Sequence, residues 1–522
     1  MRLLAMMLLA ACAPAATLAQ QPAHPKPALV VFIAVDQMRP DYFDRWPGQL
    51  TGGFQRLYEK GAFFAQGMQD HAITETAPGH STMLSGRSPA STGVVTNELG
   101  VPDSTSPLLF VPGAGASPRR VNGTLLYDWM KAADPQTRVL SMSRKDRGAI
   151  LPIGKSKSPV FWYQSGIFTT SKYYGDTLPT WLVNWNGRQG AFKMAGKAWN
   201  LLLDEKSYAE PDSQPWERGG SNFMMPKPFS ADSQRAAFEI VATPYMDSLT
   251  ADAALEGARA LQLGKRENGT DLLSVSFSTT DAIGHVYGPD SREMHDQILR
   301  LDKWLGWFMD SLNVLVDGKP IVYALTADHG VTSFPEYLHS KNRMGGRARP
   351  DSAVLQTWRS LEPKYKSHFG IEFNNGLMLA DVGAIRKAKI NFDSLASEIA
   401  SKLANITGVT RIYTPKILAA ADTADVDAMR WRRSIPKDFG WIAAASLAPY
   451  YIWSFSPAAT THGSTNRDDV QVPIVFMGPG IEAGKYKVAR TVDIAPTLAA
   501  YLGIKPLEPV EGIPLPEVVK AP

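Results

Sequence analysis

The chain has almost no cysteine, because Cys12 is the single one among 522 residues. This excludes a framework of intrachain disulfides and any cysteine-rich zinc or iron–sulfur site. Histidine is also scarce, with nine residues, so each possible imidazole ligand can be considered individually. A metal ion bound by this protein must therefore take its ligands from aspartate, glutamate and histidine.

Neither sign of charge predominates. The sequence has 54 Lys and Arg residues against 50 Asp and Glu residues, a net charge of +4. Such a balance argues against a protein that coats nucleic acid, and we expect no nucleic-acid binding. Hydrophobic residues make up 44% and charged residues 20% of the chain, which is typical of a globular protein. The length suggests about three domains, or one large α/β domain with insertions.

Long hydrophobic runs are absent from the chain after its N-terminal segment. No run there approaches the roughly 18 apolar residues of a transmembrane helix. Residues 1–19 contain one arginine, an apolar run and then small residues. This pattern predicts a secretory signal peptide that is cleaved after Ala19. The alternative is a bacterial lipoprotein signal, in which a lipid on Cys12 would anchor the protein. In both cases we expect a bacterial protein that is exported to the periplasm or secreted.

Four apolar runs predict buried parallel strands, and segments with apolar residues at helical spacing lie between them. The predicted strands are residues 28–35, 272–277, 321–326 and 472–477. The predicted helices are residues 250–263, 291–316, 395–403 and 493–502. Strands that alternate with helices indicate an α/β fold, with a mostly parallel central sheet and helices on both faces. We expect one catalytic domain over residues 28–505, with insertions at about 161–230 and about 332–449.

Three aspartates and three histidines lie at or near the ends of predicted strands, on loops that a sheet could bring together. They are Asp36, Asp281, His285, Asp328, His329 and His462. Open parallel sheets bind ligands at the carboxyl ends of their strands. Asp281 and His285 are four residues apart, so one helical turn would bring them to the same side. Mixed carboxylate and imidazole ligands suit divalent ions, zinc among them. Six ligands are too many for one tetrahedral zinc ion, but they suit two ions that each keep a position open for substrate.

A candidate nucleophile lies in the segment TETAPGHST, residues 74–82. Pro78 is favourable near the first turn of a helix, so we expect Thr76 at or just before a helix N-terminus. Its hydroxyl would then lie beside free backbone N–H groups, where an anion binds well. The alternative is that Thr76 only caps the helix.

These residues together form an ordered set of motifs. The set is Asp36, Thr76-x-Pro-x-His80, Asn97, Asp281-x-x-x-His285, Asp328-His329-Gly330 and His462-Gly463. It resembles the alkaline phosphatase superfamily, and it is most similar to the threonine-nucleophile alkaline phosphatases, which are phosphate monoesterases. Those enzymes are related to the nucleotide pyrophosphatase/phosphodiesterase branch. The resemblance implies an alkaline-phosphatase-like fold with inserted cap segments.

The resemblance also implies two Zn²⁺ ions. Asp281, His285 and His462 would hold one ion. Asp36, Asp328 and His329 would hold the other, with the oxygen of Thr76 as its fourth ligand. His80 belongs to the motif without being a ligand. The remaining histidines match no ligand motif and are expected to be surface or core residues: His24, His71, His295, His339 and His368.

A basic segment favours phosphate monoesters over diesters as the expected substrates. Residues 143–150, SRKDRGAI, resemble the Lys-x-Arg element of the monoesterases, which the diesterase branch generally lacks. Lys145 and Arg147 would bind the extra negative charge of a phosphate monoester. Asn97 would donate an amide N–H to another phosphoryl oxygen, and the backbone N–H of Ala77 could donate a further one. Without the other motifs, a solvated basic turn would be the alternative.

We therefore expect an alkaline phosphatase that hydrolyses small phosphate monoesters and releases inorganic phosphate. A covalent phosphothreonine would form at Thr76, whose hydroxyl one zinc ion activates. The other zinc ion would stabilise the leaving oxygen and then activate a water. The aromatic residues within 161–230 either belong to the core or contact the leaving group.

Three other functions are alternatives. The first is a phosphodiesterase or nucleotide pyrophosphatase of the same superfamily. A sulfatase is disfavoured, because no Cys/Ser-x-Pro-x-Arg motif aligns with Thr76. A non-enzymatic binding protein on this fold would be expected to have lost ligands, whereas all six are present.

Overall fold

The computed structural model describes residues 24–217, 224–350, 369–454 and 460–519. Cys12, Ala19 and His368 lie outside these ranges. The described strands are β1 Leu29–Val35, β2 Ala62–Met68, β3 Val139–Ser143, β4 Val160–Gln164, β5 Ile167–Thr169, β6 Ala198–Trp199, β7 Lys227–Pro228, β8 Asp271–Phe277, β9 Ile321–Thr326, β10 Gly346–Ala348, β11 Glu372–Asn374, β12 Leu377–Leu379, β13 Val409–Tyr413, β14 Trp441–Leu447, β15 Tyr451–Trp453, β16 Gln471–Met477 and β17 Gly484–Arg490.

The helices of the described ranges surround the central sheet or belong to the segments inserted into it. They are α1 Gly53–Lys60, α2 Thr76–Met83, α3 Pro89–Thr92, α4 Leu126–Ala133, α5 Asp146–Ile150, α6 Thr180–Asn186, α7 Ser233–Glu239, α8 Tyr245–Ala260, α9 Thr279–Tyr287, α10 Arg292–Leu315, α11 Pro335–Ser340, α12 Val382–Lys387, α13 Phe392–Ala404, α14 Pro415–Ala420, α15 Val426–Ser434, α16 Arg467–Val470 and α17 Ile494–Tyr501. Short 3₁₀ helices span Pro40–Phe43, Phe192–Met194, Glu205–Ser207, Ile240–Ala242 and Thr491–Asp493. Within the described ranges, no helix combines the length and apolar character that crossing a bilayer requires.

A nine-stranded sheet forms the centre of the molecule, in the order β17-β2-β16-β9-β1-β8-β3-β4-β5. The five strands β9, β1, β8, β3 and β4 run parallel to one another. Strands β1, β8 and β9 are buried along their whole length, which explains their continuous apolar sequences. The predicted α/β fold with a mostly parallel sheet is confirmed.

The prediction of a parallel strand at residues 472–477 was wrong. This run lies in β16, which pairs antiparallel with both β9 and β2. An uninterrupted apolar run shows only that both faces of a strand are buried. The direction of the strand depends on the side from which the chain enters the sheet, and the long segment that precedes β16 determines that side.

The parallel strands end level with one another. Val35 at the end of β1 pairs with Phe277 of β8, and Ala34 pairs with Thr326 of β9. Ser143 at the end of β3 pairs with Ser276 of β8. The loops and helices that follow these four strands therefore begin at one edge of the sheet.

The predicted insertion at about 332–449 contains a four-stranded sheet with neighbours that all run antiparallel, in the order β11-β12-β14-β13. Helix α13 contacts this sheet, and both contribute to a separate hydrophobic cluster. A third cluster joins Trp431 and Trp441 to Ala72 and Ile73, which directly precede the TETAPGHST segment. The inserted sheet thus packs against the chain that leads into α2.

The other predicted insertion, at about 161–230, begins within the central sheet, because β4 and β5 are its last two strands. The short pair β6 and β7 follows. The boundaries of the catalytic domain and of both insertions stay predictions.

Candidate active site

Side chains from four neighbouring strand ends meet at one edge of the central sheet. Asp36 directly follows β1, and its backbone N–H donates to the carbonyl of Phe277 at 2.9 Å. Asp328 follows β9 by two residues, and Lys145 follows β3 by two residues. Asp281 lies in the first turn of α9, the helix that comes directly after β8. The parallel sheet thus brings together residues that are distant in the sequence.

The first cluster consists of Asp281, His285 and His462, whose potential ligand atoms all lie within 4.8 Å of one another. Asp281 Oδ1 is 3.1 Å from His285 Nε2 and 3.5 Å from His462 Nε2. The two imidazole Nε2 atoms are 3.3 Å apart. Asp281 and His285 share one face of α9, as their spacing predicted.

The second cluster consists of Asp36, Asp328 and His329, which also have their potential ligand atoms within 4.8 Å of one another. His329 Nε2 is 3.4 Å from Asp36 Oδ1 and 3.6 Å from Asp328 Oδ2. All three side chains are fully buried. A Cβ at Gly79 would overlap the backbone carbonyl of Asp328, so only glycine allows α2 to pack this closely against the cluster.

The three histidines of the clusters have the same orientation. Their Nδ1 atoms lie beside backbone carbonyl oxygens, at 3.0 Å from Thr460 for His285, 3.0 Å from Gly330 for His329 and 2.6 Å from Thr74 for His462. Since a carbonyl only accepts, Nδ1 carries the proton and donates in each pair. In the neutral form of each imidazole, Nε2 is then the atom that can bind a cation, and it lies beside the neighbouring carboxylates. This is the usual arrangement of metal-binding histidines.

The two clusters adjoin each other. The rings of His329 and His462 stack with their centroids 3.5 Å apart. Gln37 connects the clusters through hydrogen bonds, because its backbone N–H donates to Asp328 Oδ1 at 3.1 Å and its side-chain amide donates to Asp281 Oδ1 at 3.0 Å. The two clusters therefore form one continuous group of potential metal ligands.

The charge balance of the clusters fits bound cations. Burial, together with the charges of Asp281 and Asp328, raises the pKa of Asp36 to about 6. Burial and the neighbouring His462 hold the pKa of His329 well below its usual value, so this imidazole is neutral at pH 7. Asp36 Oδ1, Asp328 Oδ2 and His329 Nε2 are buried without a hydrogen-bond partner among the described residues. Buried carboxylates and a neutral imidazole with unsatisfied atoms are the donor set that divalent metal ions bind.

Thr76 is the first residue of α2, as its neighbour Pro78 predicted, and Glu75 occupies the cap position before it. The side chain of Thr76 does not cap its own helix. Its Oγ1 instead accepts a hydrogen bond from Lys145 Nζ at 3.1 Å. The hydroxyl is therefore directed toward the clusters, which argues against a purely capping role.

Asn97 lies beside the start of α2. Its Oδ1 accepts the backbone N–H of Ala77 at 2.9 Å, and its own backbone N–H donates to Glu75 Oε2 at 2.7 Å. The backbone N–H of Ala77 was expected to donate to phosphate. The structure does not support this role, because the same N–H already donates to Asn97 Oδ1. The same hydrogen bond leaves the amide nitrogen of Asn97 as the donor available for a ligand.

The basic segment contributes differently at its two predicted positions. Lys145 Nζ lies 2.6 Å from Asp36 Oδ2 and 2.6 Å from Asp281 Oδ2, so it contacts one carboxylate of each cluster. Arg147 lies on α5 and has its nearest carboxylate contact with Asp146 at 3.5 Å. Both residues line a cavity of about 470 Å³ beside the clusters. Trp162 and Tyr163 also line it, although both are almost fully buried.

Gln37 and Glu75 were not anticipated from the sequence. Gln37 has a positive φ of 66°, which turns the chain sharply after β1 and directs its N–H toward Asp328. Its position directly after Asp36 was the available signal. Glu75 is buried next to Thr76, and its adjacency to the proposed nucleophile was a similar signal.

The remaining described histidines lie outside both clusters. His295 is buried between Glu210 and Gln49, and His71 is buried elsewhere. His24 stacks on Tyr501, and His339 is exposed. His80 contacts Asp328 from outside the second cluster, since its two ring nitrogens hydrogen-bond to the Thr76 carbonyl and to Ser276.

Comparisons with known proteins agree with this fold. The sequence profile of the family described as Type I phosphodiesterase / nucleotide pyrophosphatase matches residues 30–405. Alkaline phosphatase PhoV of Synechococcus elongatus is 31% identical over 516 residues, which cover 92% of this chain and 90% of that protein. Alkaline phosphatase PafA of Elizabethkingia meningoseptica is 29% identical over 95% of each chain. The crystal structure of wild-type PafA matches with a TM-score of 0.86 at 27% identity, over 95% of this chain and 99% of PafA.

The family match covers well over half of the chain, and the relatives align over nearly its whole length. The resemblance seen in the motifs is confirmed, and the prediction of an alkaline phosphatase is supported. This chain belongs to the Type I phosphodiesterase / nucleotide pyrophosphatase family, and within it the chain is close to the alkaline phosphatases PhoV and PafA.

Proposed function

We propose that this chain is an exported phosphate monoesterase with a threonine nucleophile and two zinc ions. Asp281, His285 and His462 would hold one ion. Asp36, Asp328 and His329 would hold the other, beside the oxygen of Thr76. Bound at these positions, the two ions supply Lewis-acid stabilisation for the nucleophile, the leaving oxygen and the phosphoryl group.

One observation carries the proposal: Lys145 Nζ contacts both Thr76 Oγ1 and Asp281 Oδ2. A cation beside a hydroxyl favours its ionised form, so Lys145 lowers the cost of producing the Thr76 alkoxide. The position of Thr76 at the start of α2 adds the positive end of the helix dipole. These features together support Thr76 as the attacking group.

The reaction proceeds in two displacements. The oxygen of Thr76 attacks phosphorus, the bond from phosphorus to the ester oxygen breaks, and the alcohol departs. Water then attacks phosphorus from the side that the alcohol has left, which regenerates the Thr76 hydroxyl and releases inorganic phosphate. The intermediate between the two steps is a phosphothreonine at residue 76.

The residues around Thr76 bind the phosphoryl group. Lys145 and Arg147 contribute positive charge, and the Asn97 amide nitrogen contributes a directional hydrogen bond. A monoester carries one more negative charge on its non-bridging oxygens than a diester does. The positive charges of Lys145 and Arg147 therefore favour monoesters over diesters. The expected substrates are small phosphate monoesters.

The experiment that tests this function compares p-nitrophenyl phosphate with bis-p-nitrophenyl phosphate on the zinc-loaded protein. We expect kcat/KM to be much higher for the monoester. A large preference for the bis ester would contradict the proposal and support the phosphodiesterase or nucleotide pyrophosphatase alternative.

Export is a separate part of the proposal. Cleavage after Ala19 predicts a mature protein that begins at Gln20, whereas a lipoprotein signal predicts a lipid on Cys12. The mass of the protein purified from the periplasm or the culture medium distinguishes the two. Its retention in the cytoplasm with an intact N-terminus would contradict export.

A further inference from the structure

The cavity beside the clusters has an excess of positive charge. Its volume is about 470 Å³, and Arg144, Lys145 and Arg147 line it together with one carboxylate, Asp146. Gln164 and Ser165 add neutral polar groups, and the rest of the lining is mainly apolar. Lys145 extends from this cavity to Thr76, so the cavity adjoins the proposed reaction centre.

Arg144 is poorly satisfied for a guanidinium group that the protein largely encloses. One of its terminal nitrogens donates to the carbonyl of Ser278 at 3.4 Å, a long hydrogen bond, and its buried Nε has no partner among the described residues. The buried Nε of Arg147 likewise has no partner there. A guanidinium has five N–H donors, and leaving them unpaired inside a protein is costly. Because Arg147 is assigned to the phosphoryl group, Arg144 is the guanidinium that remains for a second oxyanion at this cavity.

The surrounding carboxylates do not remove this positive charge. Asp36, Asp281 and Asp247 act on Arg144 electrostatically, but no ion pair joins any of them to Arg144 within the described chain. Asp36 and Asp281 contact Lys145, and Asp247 accepts hydrogen bonds from Thr279 and Gln297. Arg144 lines the cavity, and none of these carboxylates pairs with its guanidinium group.

We propose that Arg144 forms an anion subsite separate from the phosphoryl position and selects phosphate monoesters whose alcohol part carries a second anionic group. A terminal carboxylate or a second phosphate has the required oxyanion chemistry, and a guanidinium binds either one through paired N–H donors. The apolar lining accommodates the carbon chain between the two anionic groups. The inference rests on the proposed monoesterase function and names a substrate class for it.

Stable phosphonates test the subsite through binding instead of turnover. 3-Phosphonopropionate and propylphosphonate share the phosphonate group and differ in the terminal carboxylate. We expect 3-phosphonopropionate to bind the zinc-loaded protein about ten- to hundredfold more tightly, as measured by calorimetry or competitive inhibition. 4-Phosphonobutyrate tests a longer spacer, and propane-1,3-diphosphonate tests a second phosphate-like group in place of the carboxylate.

Arg144→Met should bring the affinity ratio to about one while propylphosphonate binds nearly as before. Arg144→Lys should retain part of the preference for 3-phosphonopropionate over propylphosphonate. This variant replaces Arg144→Met in the test if the methionine variant does not fold. Arg259→Met removes the same charge from an exposed surface position and is the matched control. Phe238→Ala alters the exposed rim of the cavity without changing charge and should leave the ratio unchanged.

Two results would overturn the subsite. Equal affinity of the native protein for compounds with and without the second anionic group would exclude it. If Arg144→Met lowered the affinity for 3-phosphonopropionate and for propylphosphonate by the same factor, Arg144 would act on the phosphoryl group instead. Neither result depends on the monoester-to-diester rate ratio, so failure of the subsite and failure of the monoesterase function are distinguishable.

Discussion

Lys145 Nζ donates a hydrogen bond to Thr76 Oγ1 at 3.1 Å, although 69 positions separate the two residues in the sequence. The same ammonium group lies 2.6 Å from a carboxylate oxygen of Asp36 and 2.6 Å from one of Asp281. One cation thus contacts the proposed nucleophile and one member of each metal-ligand cluster. This position makes Lys145 a sensitive probe of how the site uses charge.

Lys145→Ala should lower kcat/KM for a phosphate monoester by about ten- to hundredfold, the value of one or two charge-assisted hydrogen bonds. The loss should be much smaller for a diester, because a diester lacks the second negative charge. Arg147→Ala should show the same selectivity. Arg188→Ala, at a site where the arginine is half exposed, is the control and should alter neither rate. Equal losses for both ester types would contradict the role of Lys145 in selecting monoesters.

Thr76→Ala should lower turnover by at least about a thousandfold, because the covalent step loses its oxygen. Zinc should remain bound, since six other ligands are intact. Thr76→Ser keeps a hydroxyl and should retain substantial activity. Mass spectrometry of acid-quenched protein should detect a phosphoryl group on residue 76 in the wild type and none in the alanine variant. Turnover that is unchanged in Thr76→Ala would end the assignment of the nucleophile.

Glu75→Gln should lower kcat/KM by about tenfold through Asn97. Glu75 accepts hydrogen bonds from the Asn97 backbone and from the Asn375 side chain, and a glutamine can accept only one of them without a donor clash. Asn97→Ala should lower the same parameter. If Glu75 acts by positioning Asn97, the double variant should be scarcely worse than Asn97→Ala alone. Fully additive losses would show that Glu75 acts independently of Asn97.

Removal of metal should abolish activity and lower the melting temperature, because a ligand that binds only the folded state stabilises it. We expect two zinc ions per chain by elemental analysis after reconstitution. His285→Ala should lose about one of them, whereas the control His339→Ala, an exposed histidine outside the clusters, should keep both. Full activity after exhaustive chelation would contradict metal dependence.

Asp302→Ala should lower the free energy of unfolding by about 3 kcal/mol. The buried carboxylate of Asp302 accepts four backbone N–H groups around the start of α1, from Thr51, Gly52, Phe54 and Gln55. Asp310 lies on α10, as Asp302 does. Asp310→Ala removes an exposed ion pair with Arg56 and should cost less than about 1 kcal/mol. Thermal unfolding of the two variants checks the difference, and equal melting temperatures would contradict it.

The sequence predicted most of the fold because buried strands and amphipathic helices have local signatures. The helix expected at 291–316 spans Arg292–Leu315, and Ser291 caps its N-terminus. The strand expected at 321–326 is observed at Ile321–Thr326. The direction of β16 could not be read in this way, because burial and hydrophobicity are the same for parallel and antiparallel strands.

The sequence by itself determined which residue types are available for metal binding and where they lie along the chain. With cysteine confined to position 12, only carboxylates and imidazoles could form the clusters. The i, i+4 spacing of Asp281 and His285 also fixed their relation on one helix. Such features are local, and they follow from composition and helix geometry alone.

Only the tertiary structure decided how these residues are distributed between the two clusters and which other residues surround them. His462 joins Asp281 and His285 because the chain returns to the sheet edge 177 positions after His285. Gln37 connects the clusters through hydrogen bonds, and Asn97 accepts the N–H of Ala77. Arg144 lines a cavity and has one long hydrogen bond and no carboxylate partner among the described residues. Such contacts depend on the register of strands distant in sequence. No local pattern specifies that register, because it results from the packing of the whole sheet.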